Sequence, residues 1–169
     1  GNFESFVNPL TPIPEYITEM TGITDLMLAK APVIDEILPA FLAFTGSADE
    51  TIIVAHNAPF DLSFLKSAAK ELDLEWPKYK TLDTVTIARQ VLSKEDVPNC
   101  KLSTLAQFFG TKTEPNHRAL DDAKATTEIL HGLIERLGSF EVYDVDSLME
   151  FAKTAAHIQR QNYWGLSSI

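Results

Sequence analysis

Two short runs of this 169-residue chain hold the side chains best suited to chemistry. In the first, His56-Asn57-Ala58-Pro59-Phe60-Asp61, a carboxylate follows an apolar run by a few residues. In the second, Pro115-Asn116-His117-Arg118-Ala119-Leu120-Asp121-Asp122-Ala123, an imidazole precedes a pair of carboxylates. Carboxylate oxygens are preferred ligands of hard divalent ions, and an imidazole titrates close enough to neutral pH to take up a proton. Each residue also has an ordinary reading. Acidic side chains at a helix start stabilise the macrodipole, and a histidine is more often structural than catalytic. At about 100° per residue, His117 and Asp122 would diverge by about 140° in one continuous helix. They share a pocket only if His117 sits in the loop ahead of the helix that carries Asp122, where Ala119 leaves room for close approach.

The elements that would position these residues follow from periodicity. Thr51-Ile52-Ile53-Val54-Ala55 is a β-branched apolar run of strand length without polar alternation, the pattern of a central strand covered on both faces. Asp61 would then lie at the mouth of a parallel-type strand and near a helix N-terminus, where open α/β sheets bind ligands. Helices are predicted over about 59–72, 83–92, 102–109 and 120–137, with a short strand at 79–82. Upstream, 3–7 reads as a short strand stopped by the proline-rich Asn8–Pro14 connector. Short helices follow at 14–20 and 25–29, with Gly22 as a stop and Thr24 as an N-cap, and an amphipathic helix from Ile34 ends near Gly46. Strands alternating with helices define an α/β domain with a layered sheet. Beyond Gly138, one more helix is expected over 145–155, with a tail or linker beginning at His157. The predicted organisation is a main domain over 1–138 and a C-terminal helix and tail or linker over 139–169.

Composition narrows the function classes. With 45% hydrophobic and 22% charged residues the chain can bury one ordinary core. It shows neither an apolar stretch of spanning length nor a signal-peptide layout, so the expectation is a cytoplasmic protein with no membrane partner. Cys100 is the only cysteine, which leaves oxygen and imidazole as metal ligands. A net charge of −10 argues against a binder of long duplex tracts. It leaves end-processing open, because few phosphates are touched and carboxylate-bound cations reverse the local field. Asp83 reads mainly as a helix cap and Lys101 as a solvated lysine. His56, His131 and His157 have no motif support, and Trp76 and Trp164 fit core packing and a tail contact better than base stacking.

Taken together, the two runs resemble the DEDDh (DnaQ-like, proofreading-type) exonucleases. Asn57-x-x-Phe60-Asp61 resembles that family's second motif and His117-x-Ala119-x-x-Asp122 its third. Around them, Phe3 to Pro14 resembles the family's third strand and its proline-rich exit, Met20-Thr21-Gly22-Ile23-Thr24 its nucleotide-contacting loop, and Leu82-Asp83-Thr84 the strand end before a core helix. The resemblance runs from about Phe3 to Leu137 and implies an RNase H-like layered fold with a mixed sheet flanked by helices. Family members begin with a strand bearing Asp-x-Glu and a second strand, whereas this chain starts at what resembles the third. The expectation is therefore an N-terminally incomplete domain without the first two strands and without two of four carboxylates. Asp73-Leu74-Glu75 has matching letters, but it lies after the second motif and is rejected as a substitute.

The resemblance implies two divalent ions, Mg²⁺ or Mn²⁺, with Asp61 and Asp122 as metal ligands and His117 as general base. It implies that Asn57 orients Asp61 or the terminal nucleotides, and that Met20 and Thr21 line the pocket for the 3′-terminal base. The implied activity is 3′→5′ removal of 5′-mononucleotides from single-stranded or frayed DNA 3′ ends, as in replicative proofreading subunits. A polymerase subunit or a fused nuclease domain is the implied partner. The alternatives are a non-catalytic module that keeps the fold without the metals, the exonuclease domain of a larger fused repair nuclease, and action on RNA in place of DNA.

Overall fold

The parallel pair at the centre of the fold consists of β1 (Ile52–Ala55) and β2 (Lys80–Asp83), in register from Ile52 opposite Lys80 to Ala55 opposite Asp83. The computed structural model describes residues 1–165, with side chains through Ala155. Three helices precede the pair: α1 (Glu15–Thr21), α2 (Asp25–Leu28) and α3 (Ile34–Thr45). The strands are joined by α4 (Ala58–Glu71), and β2 is followed by α5 (Thr84–Val91), α6 (Leu102–Phe109), α7 (Ala119–Leu137) and α8 (Val145–Gly165). None of these helices is long and apolar enough to cross a membrane, among the described residues.

Local signals set many of the boundaries. Gly22 closes α1 in the left-handed region at φ 69°, and the Thr24 hydroxyl accepts from the Met27 N–H at 3.4 Å to open α2. Pro59 occupies the first turn of α4, where its missing N–H leaves no bond unmade. On α7, Ala125, Ile129, Leu133 and Leu137 recur every fourth residue and are all fully buried. Ile129, Leu133 and Leu137 of that stripe pack with Leu105 of α6, Ile87 and Ala88 of α5, Leu82 of β2 and Leu148 of α8 in one apolar cluster. Each fully buried Leu or Ile contributes roughly 1.5–3 kcal/mol of transfer free energy, so the cluster anchors the helices behind the strand ends.

The structure departs from the sequence reading in three places. Residues 3–7 form no strand, because a ladder requires a neighbour and only β1 and β2 pair among the described residues. The Phe3 ring packs instead on Phe41 and Phe44 of α3, with centroids 5.9 and 5.5 Å away. Residues of β1 are half-buried throughout, since a strand with one neighbour is not sealed on both sides. Helix α8 continues to Gly165, past both Ala155 and the predicted tail start, and rests on α5 and β2. The His157 and Trp164 side chains and residues 166–169 lie outside the described residues.

Gly132 lies against the Phe109 ring of α6, so close that an added Cβ would overlap the ring. Alanine gains about 1 kcal/mol in helix propensity, but overpacking costs about 1–3 kcal/mol. Gly132→Ala is therefore expected to lower the melting temperature, as calorimetry would show. An increase would mean that the Phe109 ring swings aside freely.

Candidate active site

The first candidate run turns on Asn57. After β1 the backbone enters the left-handed region there, at φ 69° and ψ 50°, and α4 starts with the buried Ala58. The neighbouring strand holds this turn. Asp83, at the end of β2, accepts on Oδ1 from the Asn57 N–H at 2.9 Å and from the Val85 N–H at 3.1 Å. Its Oδ2 accepts from the Thr86 hydroxyl at 3.0 Å. Asp83 thus caps α5 as the sequence suggests and also ties the C-terminal ends of both strands together. Asp61 follows in the first turn of α4, with its carboxyl raised above the ordinary carboxylate range, first by burial and then by the charge of Asp83.

The second run turns on His117, at φ 63°. Arg118 is the N-cap residue of α7 without a side-chain cap, and Asp121 and Asp122 fall in the first turn. Glu128, further along α7, accepts from the Lys112 and Thr113 N–H groups at 2.6 and 3.3 Å, which draws the preceding loop back onto the helix. Those bonds hold the Glu128 carboxyl below its usual value.

These elements meet at a cleft of about 600 Å³ whose lining includes Asp61, His117 and Asp122 together with Met20 and Thr21. Ala119 and Ala123 lie on the same wall and keep it open. His117 reaches the cleft from the loop ahead of α7 and Asp122 from the helix, as the angular argument requires. Asn57 is not among the lining residues; it forms the turn beneath them. Asp73-Leu74-Glu75 lines a different groove with Trp76. Trp76 stacks edge-on against Tyr79, with centroids 5.8 Å apart.

Sequence reasoning passed over His56, which lines the same cleft. Its Nδ1 lies 2.9 Å from the hydroxyl of Thr84, a fully buried residue that starts α5. Burial lowers the His56 pKa and outweighs the opposing pull of Asp83, the Cys100 carbonyl and Asp122. A neutral ring at the end of a parallel strand could have been suspected from position alone, since ligands bind outside those strand ends.

The donor set suits divalent cations in kind, with two carboxylates and two imidazoles lining one cleft. In number it is short: among the described residues no three His, Cys, Asp or Glu side chains are arranged to hold a metal ion.

A layered α/β fold with two acidic motifs and a histidine around one cleft defines a nuclease domain of the DnaQ-like class. The chain belongs to the RNase T exonuclease family, which matches residues 1–130. Exonucleases of this family generally use divalent metal ions. Over 160 residues it is 43% identical to a Mycobacterium tuberculosis (strain CDC 1551 / Oshkosh) protein named provisionally as a bifunctional exonuclease/endonuclease. That alignment covers 95% of this chain and 24% of the relative. The PolC-type DNA polymerase III of Caldanaerobacter subterraneus subsp. tengcongensis is 45% identical over 146 residues, which cover 86% of this chain and 10% of the polymerase. The PolC-type enzyme of Bacillus subtilis (strain 168) is 35% identical over 149 residues, covering 88% and 10%. The chain thus spans between a tenth and a quarter of the length of these relatives. Among solved structures, exonuclease X in complex with 5′ overhanging duplex DNA superimposes with a TM-score of 0.62 at 23% identity. The match covers 86% of this chain and 78% of that one and shows the shared RNase H-like fold.

Proposed function

We propose that this chain is the metal-dependent 3′→5′ exonuclease domain of a DNA-processing protein and releases 5′-mononucleotides from single-stranded or frayed 3′ ends. The observation that carries this reading is the arrival of Asp61, His117 and Asp122 at one cleft with Met20 and Thr21, although the two runs lie far apart in the chain. Asp61 and Asp122 are the proposed ligands, completed by further oxygens, and Mg²⁺ or Mn²⁺ when bound would lower the pKa of the attacking water and neutralise developing charge. His117 accepts the water proton, the general-base role that an imidazole most often fills. Met20 and Thr21 close the wall against the terminal base. Burial lowers the His56 pKa, which disfavours a positive charge beside the carboxylates.

The much greater length of the curated relatives favours action beside a polymerase or a second nuclease module, with residues 139–169 as the candidate linker. A non-catalytic module is the second reading, favoured by the shortage of metal donors among the described residues. The test is a single-stranded DNA labelled at either end and incubated with the full-length protein and Mn²⁺ or Mg²⁺. A 3′ label should leave first as a mononucleotide, while a 5′-labelled strand shortens stepwise. Release of the 5′ label first overturns the polarity, and no cleavage with either ion leaves the non-catalytic reading. A matched RNA strand tests the sugar preference.

A further inference from the structure

A non-glycine residue in the left-handed region is strained and persists only where its surroundings hold it. His117, at φ 63°, is such a residue, and the chain must turn from loop to helix within two residues of it. Asn116 makes three hydrogen bonds around that turn. Its Oδ1 accepts from the Arg118 N–H at 3.0 Å, closing an Asx turn over His117. Its Nδ2 donates to Asp121 Oδ2 at 2.9 Å, and its backbone N–H donates to Asp122 Oδ1 at 3.1 Å. The loop is thereby clipped to the first turn of α7, with one oxygen of Asp122 engaged by the loop backbone.

We propose that Asn116 is a positioning residue of the site: it holds the His117 turn against α7 and fixes the direction in which His117 and Asp122 face. This rests on the exonuclease reading for its catalytic consequence and on the hydrogen bonds alone for its structural one. Asn116 is solvent-exposed, so removing its side chain opens no cavity and should separate positioning from folding.

The experiment compares Asn116→Ala and Asn116→Ser in the full-length protein. Residues that orient ligands typically matter by about 10–100-fold in activity or affinity. The alanine variant should lose about 10–30-fold in kcat, with KM changed less than about threefold and an unaltered melting temperature. Serine can accept the Arg118 N–H more weakly and should recover part of that loss. Selective ¹⁵N-histidine labelling supplies a readout independent of activity. The strong intraresidue amide-to-Hα contact of a left-handed residue should be present at His117 in the wild type, absent in the alanine variant and partly restored by serine. Full kcat in Asn116→Ala, or a lost kcat with the left-handed signature intact, overturns the proposal. A wild type without nuclease activity instead overturns the exonuclease reading, and the histidine signature then still decides whether Asn116 holds the turn.

Discussion

His117→Ala is expected to lower turnover about 10²–10⁴-fold while leaving melting temperature and metal affinity near their wild-type values, the usual scale for lost general acid–base help. The side chain is exposed on the cleft wall, so truncation removes no core contact. The turn over His117 is closed by the Asn116 side chain accepting from the Arg118 N–H and not by the imidazole. Asp122→Ala should behave differently, because it deletes a candidate ligand and the acceptor of the Asn116 N–H. It should depress Mn²⁺ affinity together with turnover. A structural histidine would give the opposite pattern, a lower melting temperature with near-normal specific activity in what remains folded. Melting curves, Mn²⁺ titrations and release of 5′-mononucleotides for both variants separate base, ligand and scaffold. Full activity of His117→Ala between pH 6 and 9 would remove the base assignment.

The parts of this molecule that were readable from sequence are those decided by neighbours in the chain. The run before Ala55 is β-branched and becomes β1, and α6 ends where Gly110 takes the left-handed φ of 63° that the helix stop needs. The α7 stripe shows itself by a four-residue recurrence. What failed depends on partners elsewhere. Residues 3–7 have strand composition, but pairing is a property of two segments, and Phe3 finds apolar surface on α3 instead. His56 was invisible as a site residue because its significance lies in a bond to Thr84, 28 residues away, and in burial that no local pattern encodes. The same holds for Asp83. Its cap of α5 is a local signal, while its grip on the Asn57 N–H crosses from one strand to the next. The second run was more legible, because Asn116, Arg118, Asp121 and Asp122, which frame His117, interact within seven residues.

Replacing Asp61 with asparagine is expected to move stability and activity in opposite directions. Burial raises the Asp61 carboxyl above its ordinary value and the charge of Asp83 acts in the same sense. A folded-state pKa above the unfolded one means that the stability this group contributes is fully present below the unfolded pKa and is lost as pH rises through the folded pKa. At neutral pH the folded protein therefore holds a carboxylate that the unfolded chain would solvate better. Asparagine keeps the shape and removes the charge. At pH 7.5 with EDTA its melting temperature should slightly exceed the wild type's, the gain being small because much of Asp61 remains open to solvent, which screens its charge. The gap should narrow as pH falls toward the carboxyl's unfolded pKa, where the group takes up its proton in both states. A cation bound by the folded state offsets the charge, so Mn²⁺ should raise the wild-type melting temperature and leave the variant's almost unchanged. Turnover, which requires the ligand, should fall by at least about 100-fold, beyond what loss of an orienting partner usually costs. Calorimetry from pH 4 to 7.5 with EDTA or Mn²⁺, beside a mononucleotide-release assay, reads all of these quantities. If Asp61→Asn melts lower at pH 7.5 and retains activity, Asp61 is a helix-dipole charge at the start of α4 and belongs to the scaffold.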